Sequence, residues 1–421
     1  MKFKLTAKER NWIVYDVGNS AFVMLVSTII PIYFNYLAGN GGLSSSNYLS
    51  YWGYAVSIST LIVALLGPVL GSFSDTKGFK KPLFILSIAL GCIACISLGF
   101  AGQWLIFLII FIIAKAAFSG SLIFYDSMLS DVTTEERMDH VSSQGYAWGY
   151  IGSCIPFVAC LGVVLGADFL GLTMENAMVI AFTIITIWWA AMSVPLCRTY
   201  QQKHFIEKKP HAVKESFRRL GQTFRNVRKE KKIFLFLLAF FFYIDGVYTI
   251  IDMATAYGSA LGLDSSMLLV ALLVTQLVAF PFAILFGRLS QKYASERLIT
   301  LCIAAYFGIA VFAIFLSNQT QFWILAVLVG MFQGGIQALS RSYFTKIIPP
   351  EQSGEYFGLL DICGKGASFM GTALVSLVTQ LTGNMHAGVS MISLMFILGI
   401  LFFSIAVKAP KDIADTTDAT R

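Results

Sequence analysis

The stretch Trp12-Ile-Val-Tyr-Asp-Val-Gly-Asn-Ser-Ala-Phe22 opens the first long apolar run of the chain, yet places Asp16, Asn19 and Ser20 inside it. An ionised carboxylate in a membrane span costs about 2.5–3.5 kcal/mol on insertion scales. It persists where a wet cavity or a paired cation meets it. The first question is whether the run is a span at all.

Eleven further apolar runs follow. The twelve expected spans are 11–38, 48–73, 82–101, 104–129, 142–165, 177–197, 232–257, 265–290, 297–316, 322–347, 354–381 and 387–407. Each has the length of about 20 residues that a hydrocarbon core demands. Apolar residues make up 57% of the chain and charged residues 13%, with a mean hydropathy of +0.73. Soluble chains carry about 25% charge, so these values exclude an ordinary soluble domain. The expected class is an all-α polytopic membrane protein. Lys2, Lys4, Lys8 and Arg10 imitate a signal-peptide n-region, but the following run exceeds an h-region and is expected to be retained.

With the N-terminus placed inside, the cytoplasmic segments and the span ends that adjoin them hold 28 of the 30 Lys and Arg residues. The other two, Lys115 and Lys365, lie within spans, and the opposite loops hold none. The positive-inside rule therefore predicts that both termini are cytoplasmic. The net charge of +7 is a topology signal, and no nucleic-acid partner is expected. The seven cysteines lie in or at the edges of spans, where they read as small hydrophobes. The four histidines suggest no metal cluster, and no cofactor is expected. Asn318-Gln-Thr320 is a formal glycosylation sequon in a very short loop.

The chain repeats itself. Gly71-Ser-Phe-Ser-Asp75 ends span two, and Gly287-Arg-Leu-Ser-Gln291 ends span eight, 216 residues later. Asp126-Ser127 corresponds to Arg341-Ser342 at an offset of 215. Two halves of like topology form a parallel repeat, as in transporters of the major facilitator type. The expected organisation is a bundle over 1–197, a basic linker over 198–231, a second bundle over 232–407 and a cytoplasmic tail over 408–421. Within the linker, Val213, Phe217, Leu220, Phe224 and Val227 recur at helical spacing among basic residues. An amphipathic helix over 211–230, lying on anionic lipid, is expected there.

Intramembrane polar residues fall into stripes. Span one aligns Asp16, Ser20 and Ser27; span four aligns Lys115, Ser119 and Asp126. Span seven aligns Asp245, Thr249 and Asp252; span ten aligns Gln333, Gln337 and Arg341. Span eleven adds Asp361, Lys365, Ser368, Thr372 and Ser376, whereas spans three, six, nine and twelve have no comparable charges. The spacing yields Asp16, Asn19, Lys115, Asp245, Asp252, Gln337, Asp361 and Lys365 as candidates for substrate or proton binding. Asp245 and Lys115 sit nearest the midplane and would offer opposite charges to a zwitterion. Asp361 and Lys365, four apart, read equally as an intrahelical ion pair. Asp126 and Arg341 read as anchors between the halves.

The segment Gly71-Ser-Phe-Ser-Asp75-Thr-Lys77-Gly78-Phe-Lys80-Lys81 resembles the loop between spans two and three of the major facilitator superfamily, G-x-x-x-D-[RK]-x-G-x-[RK]-[RK]. The resemblance implies that Gly71, Asp75, Lys77, Gly78, Lys80 and Lys81 take part in the inward/outward switch. Thr76 stands where the pattern has a base, and Lys77 follows it. It also implies that spans one, four, seven and ten line a central cavity, with eleven close by. Trp12-x-x-Tyr15-Asp16-x-x-Asn19-Ser20-Ala-Phe22 and Phe242-Tyr243-Ile-Asp245-Gly246 resemble the vacuole-effluxer-like group, which includes a fungal autophagy-related amino-acid effluxer.

These readings predict a secondary active transporter that moves a small solute, such as an amino acid or similar zwitterion, by alternating access, with protons as a coupling ion. The alternative is a proton-coupled exporter of cationic or amphipathic compounds. A membrane enzyme or scaffold is the remaining class; the chain has no GK[ST] loop, H-E-x-x-H or G-x-S-x-G. Short loops and tails predict a bacterial cytoplasmic membrane.

Overall fold

The computed structural model describes residues 4–43, 45–207, 218, 230–260 and 265–410. The expected linker helix over 211–230 and the tail beyond 410 lie outside the described residues, as do the side chains of Asp252 and Ser368. Among the described residues, twelve helices are long and apolar enough to cross a membrane. In chain order they are α1 (Ala7–Asn40), α2 (Ser45–Ser74), α3 (Lys80–Leu98), α4 (Trp104–Ser127), α5 (Met138–Leu165) and α6 (Met174–Thr199). The second half holds α7 (Lys231–Ala260), α8 (Ser265–Leu289), α9 (Ser295–Ile314), α10 (Gln319–Ile347), α11 (Ser353–Thr382) and α12 (Met385–Lys408). Every expected span is present, with ends displaced by a few residues.

Local signals set several of the ends. Thr6 accepts the amide of Glu9 while Glu9 accepts the amide of Thr6, a capping box at the start of α1. Asn318 and Asn384 cap α10 and α12 through their side chains. Gly383, at φ +67°, ends α11 in the left-handed region that glycine adopts freely. Thr28, at φ −132° and ψ −67°, interrupts α1.

The buried apolar residues form two large cores. One gathers side chains from Trp12 to Tyr200, including Phe22, Phe107, Phe182 and Trp189. The other runs from Ile233 to Ala406 and takes in only Val63 and Ile123 from the first half. The outer surface is equally apolar. Leu86, Leu90 and Ile93 on α3, and Leu394, Ile397, Leu401 and Ile405 on α12, are exposed at helical spacing. Such stripes need a lipid solvent rather than water.

The halves meet along two seams, α2 with α11 and α5 with α8. At the second seam Ala147, Tyr150, Ala279 and Ala283 form a small buried cluster. Small residues permit close backbone approach, as packing in lipid requires. Within the first half, Gly145, Gly149 and Gly152 turn one face of α5 against α1; added Cβ atoms would lie 2.6 Å from Asp16 Oδ2, 2.7 Å from Ser20 Oγ and 2.4 Å from Val17 Cγ1.

Candidate functional site: a closed face and a polar interior

Polar contacts between the halves gather towards one membrane face, the face of the loops holding Asp75, Asp131 and Pro350. We term it the basic face, since the Lys and Arg residues cluster there.

The first cluster joins α2 to α11. Asp75 follows the last turn of α2 and is fully buried. Its Oδ1 accepts the Gly354 amide at 2.8 Å, and its Oδ2 accepts the Glu355 amide at 2.9 Å. Free amides and the dipole at a helix N-terminus favour an anion there. Lys80, also fully buried, lies 3.3 Å from Asp75 Oδ1 and donates to Ser353 Oγ at 2.9 Å. Ser353 in turn donates to the Ser127 carbonyl at 3.1 Å. Burial pushes the Asp75 carboxyl above its ordinary range, and Lys80 and the two amides oppose that rise without cancelling it. The backbones nearly touch: a Cβ on Gly71 would stand 2.1 Å from the Gly354 carbonyl oxygen. Gly78, at φ +80°, turns the loop, and its amide donates to Gln202 Oε1 at 3.0 Å.

The place that Thr76 leaves without a base is therefore served by Lys80. Lys77 points elsewhere, to an exposed pair with Glu207 at 3.0 Å. Lys81 donates to the Arg198 carbonyl at 3.4 Å.

The second cluster surrounds Arg341 of α10. Its guanidinium donates to Asp126 Oδ1 of α4 at 3.0 Å, to Asp16 Oδ2 of α1 at 3.4 Å and to the Ser142 carbonyl of α5 at 3.0 Å. Its Nε donates to Ser142 Oγ at 2.9 Å. The rings of Tyr146 and Trp12 flank it, with centroids 4.3 and 4.6 Å from Cζ. A planar cation between aromatic faces and carboxylates combines ring stacking with charge-assisted hydrogen bonds. Trp12 is itself stacked on Tyr125 and donates from Nε1 to the Tyr125 carbonyl at 3.0 Å. Asn19 donates to Asp16 Oδ1 at 3.2 Å. The polar residues of the opening stretch thus have a physical reason. Trp12 flanks a cation from the other half, Asp16 pairs with it, and Asn19 holds Asp16.

A third cluster was not singled out from the sequence. Asp139, in the first turn of α5, accepts from Ser342 at 2.6 Å, from Ser295 at 2.6 Å and from Lys346 at 2.6 Å. An acid opening α5 and a base ending α10, on the same face as Asp75, were the available signal. Glu9, Thr133 and Arg137 form a further knot within the first half.

Deeper in the membrane the candidates separate. Asp361 and Lys365 pair within α11, with Nζ at 2.5 and 2.6 Å from the two carboxylate oxygens, and their side chains are 20% and 22% exposed. Asp126 lies within electrostatic reach of both. Tyr150 donates across the halves to Gln337 Oε1 at 3.3 Å. Lys115 Nζ lies 5.9 Å from the Phe111 ring centroid on its own helix.

Asp245 is fully buried between α7 and α11. Its Oδ1 accepts the Gly371 amide at 3.0 Å and the Thr249 hydroxyl at 3.3 Å, and its Oδ2 has no hydrogen-bond partner among the described residues. In this state it joins two helices rather than facing open space. Its neighbours in the second motif knit the same bundle: Tyr243 shares a 2.7 Å hydrogen bond with Ser340, and Gly246 lies against the Phe396 ring.

The model of the family described as vacuole effluxer Atg22 like matches residues 7–416. The chain belongs to this family. An uncharacterized MFS-type transporter of Bacillus subtilis (strain 168), YxiO, is 41% identical over 409 residues, covering 96% of each chain. Autophagy-related protein 22 of Cryptococcus neoformans is 25% identical over 300 residues, 66% of this chain and 51% of that protein. Among solved structures, the major facilitator transporter FucP in its outward conformation superposes with a TM-score of 0.71 at 12% identity, covering 96% of this chain and 98% of its own. The human organic anion transporter MFSD10 gives 0.69 at 13% identity, with coverages of 94% and 99%. At such identities these two matches establish the fold. The chain is a multi-pass secondary transporter of the major facilitator type and not an enzyme.

Proposed function

We propose that this transporter moves a small zwitterionic solute, an amino acid or close analogue, by alternating access between the bundles 1–197 and 232–407. The observation that carries the reading is the Asp361–Lys365 pair. It sets opposite charges side by side on α11, partly exposed and close to Asp126 in the arginine cluster. A solute's carboxylate would displace Asp361 from Lys365, and its ammonium would take Asp361. Exchange of one ion pair for two restores the desolvated charges. The amino-acid effluxers that the sequence motifs resemble support the same substrate class.

On this reading Asp126 and Arg341 form the floor beneath the solute, and Asp75 with the α11 N-terminus locks the seam beside it. Asp245, with one carboxylate oxygen buried and unpartnered, is the candidate proton carrier. On the positive-inside bias we read the basic face and both termini as cytoplasmic, and on that reading the described state is closed to the cytoplasm.

Thermal melting of the detergent-purified protein against amino acids, amines, sugars, dyes and osmolytes tests the proposal. Ligand at 100 times its Kd stabilises by about 2.7 kcal/mol. An amino acid is expected to raise the melting temperature of wild type, and Lys365→Gln and Asp361→Asn are each expected to abolish the rise. A rise with amines or dyes alone would favour the cationic exporter, and an amino-acid response that survives both variants would remove the pair from the site.

A further inference from the structure

The loop that carries Asp75 is itself held from outside the seam, by the chain leaving α6. Ile206 pairs with it in parallel register: the Ile206 amide donates to the Asp75 carbonyl at 2.8 Å, and the Lys77 amide donates to the Ile206 carbonyl at 3.0 Å. Gln202 spans the same loop. Its Nε2 donates to the Ser74 and Asp75 carbonyls at 3.2 and 3.4 Å, and its Oε1 accepts the Gly78 amide at 3.0 Å. Lys77 lies 4.7 Å from the Phe205 ring centroid and pairs with Glu207. Four of eight successive residues, Gln202, Phe205, Ile206 and Glu207, thus touch the loop.

The segment has its own anchor, Asp131, in the short helix Leu129–Val132 between α4 and α5. This buried carboxylate accepts the Tyr200 hydroxyl at 2.5 Å, the Lys203 amide at 3.1 Å and the His204 amide at 2.9 Å. Its Oδ1 also meets His204 Nδ1 at 3.0 Å.

We propose that residues 200–207 form a positioning strap for the Asp75 lock, and that protonated His204 on Asp131 is its latch. The strap fixes the carbonyls on either side of the Asp75 Cα, and so the place from which the carboxylate reaches the Gly354 and Glu355 amides. A strap seated on Asp131 keeps the α2–α11 seam shut; a lifted strap frees the loop to withdraw. The proposal uses the lock as the geometry shows it, and rests on the alternating-access reading only for the consequence for transport.

The charges around His204 give the latch its sign. The hydrogen bond to Asp131 raises the imidazole above its ordinary range; burial opposes this, Glu351 of the facing half adds to the rise and Lys203 subtracts from it. Burial pushes Asp131 up, but His204, Lys80 and Tyr200 outweigh it and hold the carboxyl low. A histidine raised by its partner contributes fully below its unperturbed range near 6.5, and that contribution is lost as pH rises through the raised value. The latch is therefore tightest on the acid side, and it tightens the lock as long as the Asp75 carboxyl, which burial raises, stays ionised.

Hydrogen exchange of the full chain in nanodiscs, read by mass spectrometry on peptides containing Gly354 and Glu355, tests this without a substrate. These two amides donate to Asp75, so their protection reports the lock. After correction for intrinsic exchange, wild-type protection is expected to fall on the order of fivefold between roughly pH 5 and pH 8. His204→Gln and Asp131→Asn are expected to show the alkaline level at both values. Lys408→Gln, exposed at the end of α12 and in none of the strap's contacts, is expected to keep the wild-type profile and so control for folding. Asp75→Asn should lose protection throughout, which verifies the reporter independently of His204. A flat profile in wild type, or a pH-dependent one in His204→Gln, would overturn the latch.

Discussion

Arg341 and Lys80 are both buried cations that cross between the halves, and they fail in different ways when changed. Arg341 reaches Asp16, Asp126 and Ser142 at once because a guanidinium is a planar fork; an ammonium satisfies fewer of these and stacks poorly between Trp12 and Tyr146. Losing one charge-assisted bond is worth about 1.5–3 kcal/mol. Arg341→Lys is therefore expected to slow exchange of a bound solute by roughly tenfold or more, measured as counterflow in proteoliposomes. Lys80→Met leaves Asp75 buried beside an apolar chain. Removing one partner of a buried pair costs about 3–5 kcal/mol, so the variant is expected to melt well below wild type. Adding Asp75→Asn removes the stranded charge, and the double variant is expected to recover part of that loss. If the two effects simply add, the Asp75–Lys80 contact is not the source of the cost.

At the scale of elements, the seam between α2 and α11 depends on the absence of side chains. Gly71 and Gly354 lie backbone to backbone, and Gly358 meets Pro68 in the same way, with an added Cβ at 2.6 Å from Pro68 Cα. Overpacking of this kind costs about 1–3 kcal/mol, and it falls on the closed state, where the helices touch. Gly71→Ala is expected to lower protection of the Gly354 amide at every pH, whereas Gly39→Ala, with open space around it, is expected to leave it unchanged. The repeat of Gly71-x-x-x-Asp75 as Gly287-x-x-x-Gln291 was legible in the sequence, and so were the helices and the polar stripes. Hydropathy marks a lipid-facing helix along its whole length, and a charge in such a helix stands out. The partner of each charge was harder to read. Arg341 was legible as an anchor because Asp126 occupies the equivalent repeat position, 215 residues earlier. Asp245 was read from its helical face as a site for substrate or proton; spacing fixes a face and does not name the neighbour across it, which here is the Gly371 amide. The strap left no periodic trace, since its contacts run through backbone amides and through side chains of an irregular segment.

At the scale of the molecule, the three interbundle clusters share one face, and this constrains how the halves can move. Opening that face must break the Asp75 cap, the Arg341 contacts and the Asp139–Lys346 pair together, since rigid bundles cannot separate at one seam alone. A solute that favours the open arrangement must supply that free energy through its own differential contacts. The Asp361–Lys365 pair stands near the arginine cluster, where exchange of partners could loosen Asp126 from Arg341. Which compartment gains access then depends on orientation. The asymmetry of 28 basic residues against none in the opposite loops predicts a cytoplasmic basic face. A C-terminal fluorescent-protein fusion is expected to fluoresce and a C-terminal alkaline phosphatase fusion to remain inactive. A fusion placed after Asn40 is expected to show the reverse. The opposite pattern would make the described state open to the cytoplasm, and the same three clusters would then guard the outer mouth.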